Sequence, residues 1–182
     1  MFRRTLTGLL ATTAMTAALV AGTAPQASAD VEVAVVTITY SDANAGEFKS
    51  AVAQGIAIWN ASVTNVQIRK AAAGQRADVQ VIADNGWPRA TLGPVRPGGR
   101  GTVWFGREAV NDGYDVVRIA SHEFGHILGL PDRKPGPCSS LMSGSSAGVA
   151  CTNPNPNATE KSRVQSLYAG GFVSQRDVVV VG

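Results

Sequence analysis

Apolar residues in the first half of the chain follow two different periods, which together predict a sheet with a packed helix. Strand-like alternation rich in valine, isoleucine and threonine extends over residues 31–40, 63–69 and 77–82. Phe48, Val52, Ile56 and Trp59 recur at helical spacing, which predicts a helix that begins within residues 42–47 and ends near residue 60. The resulting order of strand, helix, strand, strand favours an α+β fold.

The next region has little periodicity. Residues 85–100 are rich in glycine, proline and arginine, which predicts a long surface loop. A short β-rich run follows at 101–105, and its Trp104 and Phe105 could either pack in the core or contact a ligand. An exposed strand edge in this run could bind an extended peptide through backbone hydrogen bonds.

Residues 116–128 return to helical spacing, and this predicted helix contains both histidines of the chain, His122 and His126. Residues four apart on a helix are separated by about 6 Å of rise and about 40° of rotation, so both imidazoles project from one face. Imidazole nitrogens are common zinc ligands, and catalytic zinc sites use three protein ligands and leave a fourth position open. The helix therefore predicts two of three zinc ligands.

Asp132 is the predicted third ligand. Gly129 can adopt the left-handed conformation that ends a helix, and Pro131 cannot continue it, so the reversed chain can bring Asp132 toward the histidine face. Glu160 is a rival, because other zinc proteases take a glutamate from a later helix. However, Asn157 and Glu160 also form a capping box that would begin a last helix through about residue 168.

Glu123 is the predicted general base. It lies beside the first ligand, so its carboxylate can reach a metal-bound water without occupying the metal. Zinc can lower the pKa of bound water to about 7. A carboxylate that accepts the proton contributes about 10²- to 10⁴-fold in rate. The predicted reaction is hydrolysis of a peptide bond by zinc-activated water.

These residues resemble a known signature. His122, Glu123, His126, Gly129 and Asp132 match the metzincin pattern in the form that ends in aspartate. That form resembles the snapalysin family of small secreted neutral zinc metalloproteases. Residues 136–144 and 151–154 are also similar to this family, in its Met-turn and disulfide segment, and the resemblance spans residues 37–169.

The resemblance implies a metzincin-like α+β zincin, in which a twisted mixed sheet, a backing helix and an active-site helix are followed by a small C-terminal subdomain. It implies that Met142 packs beneath the zinc site as a hydrophobic floor. It further implies a structural calcium ion at Asp115 and Val117. Asp115 could instead simply cap the predicted helix at 116–128, which contains both histidines and is called the metal helix below. The implied substrates are unfolded or flexible proteins with an aromatic residue just after the scissile bond.

The two cysteines, Cys138 and Cys151, lie in a stretch rich in glycine, serine and proline. The family resemblance includes a disulfide in this segment. Such a bond would close a loop of about 14 residues and stabilise the fold by about 3 kcal/mol on the chain-entropy model. The alternative is two free thiols.

The N-terminus has the features of a secretory signal peptide. Arg3 and Arg4 precede an apolar run at 6–20, and Ala-Ser-Ala at 27–29 suits cleavage before Asp30. The paired arginines would also suit twin-arginine export, but we favour the general route to an extracellular product. The predicted organisation is a signal peptide at 1–29, a short mature N-terminal segment at 30–36, a metalloprotease domain at 37–169 and a tail at 170–182 outside the resemblance.

Charge and length narrow the range of partners. The formal net charge is +3, and two of these charges belong to Arg3 and Arg4, so the mature chain gives no reason to expect nucleic acid. The N-terminal apolar run is too short and too interrupted by threonine for a membrane span. We therefore expect no nucleic acid and no membrane as partners. The family resemblance implies protein or peptide substrates, and the small size and the absence of a heptad repeat favour a monomer.

Two departures from the family pattern leave an alternative function open. The family has a tyrosine two residues beyond the aspartate ligand, where it could steady the oxyanion, but this chain has Lys134, and the Met-turn supplies no tyrosine at Gly144. The zinc ion alone, or a basic side chain, could stabilise the transition state. The alternative is a non-catalytic secreted zinc-binding interaction domain, against which the intact Glu123 argues.

Overall fold

Five strands form one mixed sheet in the computed structural model, which describes residues 34–170. The sheet order is β2-β1-β3-β5-β4, with β4 antiparallel to β5 and every other pair parallel. The predicted α+β class with a mixed sheet is confirmed. The strands are β1 (Val36–Asn44), β2 (Val66–Lys70), β3 (Val79–Asp84), β4 (Arg89–Ala90) and β5 (Gly101–Gly106).

The helices also follow the predicted order, with boundaries that differ by a few residues. A short 3₁₀ turn, Gly46–Phe48, precedes the first helix, and a longer 3₁₀ segment, Leu141–Ala147, follows the third. Of the four α-helices within residues 34–170, the short α2 is the one that the sequence did not predict. The helices are α1 (Lys49–Ser62), α2 (Arg107–Asn111), α3 (Val116–Ile127) and α4 (Ala158–Leu167).

The long helices α1 and α3 pack against each other, with α1 beside β2 and α3 beside β5. Val52 and Trp59 of α1 are fully buried, as the helical spacing predicts. The indole Nε1 of Trp59 donates a hydrogen bond of 2.8 Å to the carbonyl of Ser121 in α3. The core that positions α3 is therefore built from α1 and from the inward-facing positions of the strands.

Gly55 lets the two helices approach closely. A Cβ atom at this position would lie 2.8 Å from the backbone nitrogen of Ser121 and 2.9 Å from the carbonyl carbon of Ala120. Both are backbone atoms, so neither can rotate away. The spacing between α1 and the metal helix therefore depends on the absence of a side chain at residue 55.

The prediction that the run at 101–105 offers an exposed strand edge is wrong. β5 has β3 on one side and β4 on the other, so β4 is the edge strand at this end of the sheet. β4 comprises two residues within the predicted loop, too few to produce a period of two. Phe105 is a core residue stacked on Phe48 with ring centroids 4.2 Å apart, whereas Trp104 is half-buried beneath the guanidinium of Arg89.

The rest of the predicted loop is tied to the end of α3. The backbone N–H groups of Gly93 and Val95 donate to the carbonyls of His126 and Ile127, at 2.8 and 2.9 Å. The hydroxyl of Tyr168 donates to the carbonyl of Val95 at 2.8 Å. This loop is therefore fixed beside the metal helix by backbone contacts.

The part of the chain after α3 forms the small C-terminal region. Cys138 and Cys151 form a disulfide with Cα atoms 5.5 Å apart, which confirms the pairing. The predicted capping box of Asn157 and Glu160 is present at the start of α4. The predicted signal peptide and the tail beyond residue 170 lie outside the described residues, and no helix within 34–170 is long and apolar enough to cross a membrane.

Replacing Gly55 with alanine tests the close contact of the helices. Helix propensity alone predicts that Gly55→Ala would stabilise the protein by about 1 kcal/mol. Overpacking against rigid backbone costs about 1–3 kcal/mol, and we expect this cost to exceed the gain in helix propensity. The free energy of unfolding, measured in urea, should therefore fall. Ala53→Gly, at an exposed position of the same helix, measures the propensity effect alone. A Gly55→Ala protein more stable than wild type would contradict the account.

Candidate metal site

The helix that carries the two histidines begins and ends at defined residues. Asp115 caps its N-terminus, since its Oδ1 accepts a hydrogen bond of 2.7 Å from the backbone N–H of Arg118. Gly129 has a φ of +98°, as expected for the residue that terminates the helix. The backbone N–H of Leu130 then donates to the carbonyl of Gly125, so the chain turns back along the helix.

Each histidine is oriented by a backbone carbonyl. The Nδ1 atom of His122 lies 3.0 Å from the carbonyl oxygen of Leu141, and Nδ1 of His126 lies 2.7 Å from that of Leu130. A carbonyl oxygen can only accept a hydrogen bond, so both Nδ1 atoms carry the proton when the rings are neutral. Both Nε2 atoms are then left with a lone pair, which is the form that a metal binds.

Asp132 completes a cluster with the two Nε2 atoms. Its Oδ1 lies 3.2 Å from Nε2 of His122 and 3.6 Å from Nε2 of His126. Ligands about 2.1 Å from a tetrahedral zinc ion are about 3.4 Å apart, so these separations and this donor set fit zinc. Within residues 34–170, this is the one group of three or more histidine, cysteine or acidic side chains close enough to share a metal.

Glu123 is buried beside this cluster, with 3% of its surface exposed. Its Oε2 has no hydrogen-bond partner among the described residues. Burial raises the pKa of Glu123 to about 7, and the nearby His122 opposes this shift. A carboxyl group with such a pKa can both accept and release a proton near neutral pH, as a general base must.

The other ionisable groups of the site shift one another. In the metal-free protein, a protonated His122 donates a hydrogen bond from Nε2 to Asp132 and holds the pKa of that carboxyl well below its usual range, and Lys134 adds to this effect. Burial lowers the pKa of His122, but Asp132 and Glu123 outweigh it, so the net shift is upward. For His126, burial and the neighbouring His122 lower the pKa. The free protein therefore places negative charge on Asp132, as a ligand for a cation requires.

Glu160, the rival third ligand, is occupied elsewhere. Its carboxylate accepts hydrogen bonds from the hydroxyl of Ser140 and from the backbone N–H groups of Leu141, Met142 and Asn157. These bonds order the backbone of the 3₁₀ segment, whose Leu141 carbonyl orients His122. Glu160 therefore supports the site from behind and does not join the cluster.

Arg118 is a supporting residue that the sequence analysis missed. It is buried in α3, and its guanidinium donates to the carbonyls of Asn153 and Ser140 and to the hydroxyl of Ser143. An arginine on the inner side of an otherwise apolar helical stripe was the signal that could have identified it. Arg118 joins the metal helix to the disulfide loop.

Met142 packs against α3, the helix that carries the two histidines. It is 1% exposed, and a Cβ atom on Gly125 would lie 2.6 Å from its sulfur. The glycine between the two histidines therefore leaves room for the thioether, a requirement that the sequence analysis did not identify. Methionine suits such a gap because its side chain is flexible and polarisable.

The cluster opens into a cavity of about 460 Å³. His122, Glu123, His126 and Asp132 line one part of it. Another part is more apolar, with Trp87 and Tyr114 in edge-to-face contact at 5.7 Å between ring centroids. Further lining residues include Arg89, Ala90, Leu92, Ile119 and Lys134.

Comparison with solved structures gives a weak match to high choriolytic enzyme 1, a hatching-enzyme zinc protease of the medaka fish Oryzias latipes. The TM-score is 0.49 and the sequences are 18% identical, over 74% of this chain and 90% of that one.

Comparison of sequences gives closer matches. A family model described as Streptomyces extracellular neutral proteinase (M7) matches residues 35–171. The extracellular small neutral protease of Streptomyces caespitosus is 46% identical over 136 residues, which is 75% of this chain and 99% of that protein. The protein of the same name from Streptomyces lividans is 42% identical over 144 residues, 79% of this chain and 62% of that protein. The resemblance to snapalysins is thus confirmed: the chain belongs to the Streptomyces extracellular neutral proteinase (M7) family and is an extracellular metalloendopeptidase.

Proposed function

We propose that this endopeptidase cleaves extended segments of extracellular proteins with one zinc ion held by His122, His126 and Asp132, and with Glu123 as general base. The observation that carries the proposal is the convergence of three potential ligand atoms within 4.8 Å of one another beside a buried carboxylate oxygen that has no hydrogen-bond partner within residues 34–170. Zinc bound there would supply a Lewis acid that polarises a peptide carbonyl and lowers the pKa of water.

The protein's own groups hold and move the proton. Leu141 and Leu130 fix the protonated Nδ1 atoms of the two histidines, so that both rings present lone pairs. Glu123 would accept a proton from the attacking water at Oε2 and then deliver it to the nitrogen of the leaving amine. In the metal-free protein, burial raises the pKa of Glu123 to about 7, so this carboxylate is a stronger base than an exposed glutamate.

The edge strand β4 supports an extended substrate. The backbone N–H of Thr91 donates to the carbonyl of Thr102 in the direction of β5. Alternate residues of an antiparallel pair point their backbone groups to opposite sides, so the N–H and C=O of Ala90 face away from β5. Ala90 also lines the cavity, and a peptide strand could hydrogen-bond to it there.

The apolar part of the cavity supports a preference for an aromatic residue after the scissile bond. Trp87, Leu92, Tyr114 and Ile119 line the same cavity as the metal ligands, and Trp87 and Leu92 are exposed. An aromatic side chain that enters it would remove apolar surface on both partners from water.

A structural calcium ion at Asp115 and Val117 also remains a proposal, and it rests on the family resemblance. Asp115 already uses Oδ1 to cap α3. Valine offers a metal its backbone carbonyl, so calcium would depend on one carboxylate, that carbonyl and water.

Three further expectations likewise stay proposals: the signal peptide at 1–29, the domain limits at 37 and 169, and the monomeric state.

Replacing Glu123 with glutamine tests its role as base. The amide has the shape of the carboxylate but cannot accept the proton, so we expect kcat on unfolded casein to fall by about 10²- to 10⁴-fold. Zinc content, measured by atomic absorption, should remain near one ion per chain because Glu123 is not a ligand. An active Glu123→Gln protein would refute the assignment, and an inactive wild type that holds one zinc would favour the non-catalytic interaction domain.

A pair of peptides tests the substrate preference. The peptides are identical except for phenylalanine or alanine directly after the scissile bond. Full burial of a phenyl group contributes about 1.5–3 kcal/mol, so kcat/KM should be about 10- to 100-fold higher for the phenylalanine peptide. A control peptide with phenylalanine moved two residues further along should lose most of this gain. Equal kcat/KM for all three would contradict the proposal.

A further inference from the structure

We propose that Lys134 is a positioning residue for the metal site, which holds one oxygen of Asp132 so that the other faces the histidines. This inference rests on the zinc site proposed above. The ammonium Nζ of Lys134 donates to Oδ2 of Asp132 at 3.0 Å, while Oδ1 is the oxygen that approaches both Nε2 atoms. The two oxygens of the carboxylate therefore have different partners.

The Asp132 carboxylate needs a partner that orients it, because Asp132 follows the helix and lies in an irregular segment. Its side chain is 45% exposed, whereas those of His122 and His126 are 9% and 14% exposed. The histidines are also held by backbone carbonyls. Apart from the histidines, Lys134 is the partner that the described residues give the Asp132 side chain, so it supplies the orientation that the carbonyls supply to the imidazoles.

The fold leaves space for this lysine at Gly144. Gly144 has a φ of +52°, and a Cβ atom there would lie 2.7 Å from Cε of Lys134 and 3.1 Å from Cε1 of His122. The lysine stem therefore runs over a backbone position that no larger residue could occupy without displacing it. Lys134 and Gly144 are therefore neighbours in space.

An ion pair with side chains 38% and 45% exposed contributes little to folding stability, so its effect lies in orientation. Two effects on metal affinity then compete. The positive charge of Lys134 repels a divalent cation, so simple electrostatics predicts that its removal tightens zinc binding. Loss of a group that orients a ligand typically weakens metal binding by about 10- to 100-fold. The sign of the change in zinc affinity when Lys134 is replaced therefore shows which of the two effects is larger.

The test compares zinc dissociation constants, measured by competition with a chelator of known affinity, for wild type, Lys134→Met and Lys134→Arg. We expect Lys134→Met to bind zinc about 10- to 100-fold more weakly. Lys134→Arg retains a charged donor and should restore the affinity to within about threefold of wild type. Arg133→Met is the matched control, since it removes the same charge from the adjacent exposed residue and should not weaken binding.

The thermal midpoints of the zinc-free proteins should agree, which separates positioning from a general structural role. Zinc binding by Lys134→Met that equals or exceeds that of wild type would overturn the inference, as would an equal loss in Arg133→Met or a lack of rescue by arginine. Asp132→Ala keeps the two proposals apart. If wild type binds zinc and Asp132→Ala does not, the proposed zinc site is supported independently of the result for Lys134→Met. A wild type that binds no zinc overturns both the zinc site and the role of Lys134.

Discussion

The hydrogen bond between His122 Nδ1 and the carbonyl of Leu141 joins the metal helix to the 3₁₀ segment, and the geometry of the site depends on it. Leu141 can accept this bond because Glu160 fixes the surrounding backbone from the other side. Arg118 ties the same segment to α3. Two buried charged residues far apart in sequence thus set the orientation of one imidazole. Such buried charges are tolerated because each has several hydrogen-bond partners.

Close packing then places the helix as a whole. Gly55 of α1 allows close contact with the backbone of α3, and Gly125, which lies between the two histidines in sequence, leaves room for the sulfur of Met142. The same packing buries Glu123 and raises its pKa to about 7. The environment that holds the two histidines therefore also shifts the pKa of Glu123, because both effects depend on exclusion of water from one face of α3.

Local sequence was sufficient to predict that His122, His126 and Asp132 lie together, because each position depends on short-range geometry. His122 and His126 are one helical turn apart, and Gly129 reverses the chain before Asp132. The partners of Arg118, the contact of Gly125 with Met142 and the pairing of β4 with β5 could not be predicted in this way. They join segments distant in sequence, and β4 is too short to show a period. The prediction of an exposed edge at β5 failed for this reason, since the strand that covers it lies in a segment without strand-like alternation.

The most direct test of the account is a crystal structure of the zinc-loaded protein with anomalous diffraction recorded at the zinc absorption edge. The account predicts one anomalous peak about 2.0–2.2 Å from Nε2 of His122, Nε2 of His126 and Oδ1 of Asp132, with Glu123 close by but not coordinated. Zinc coordinated by Glu123 or Glu160, or bound away from the two histidines, would contradict it.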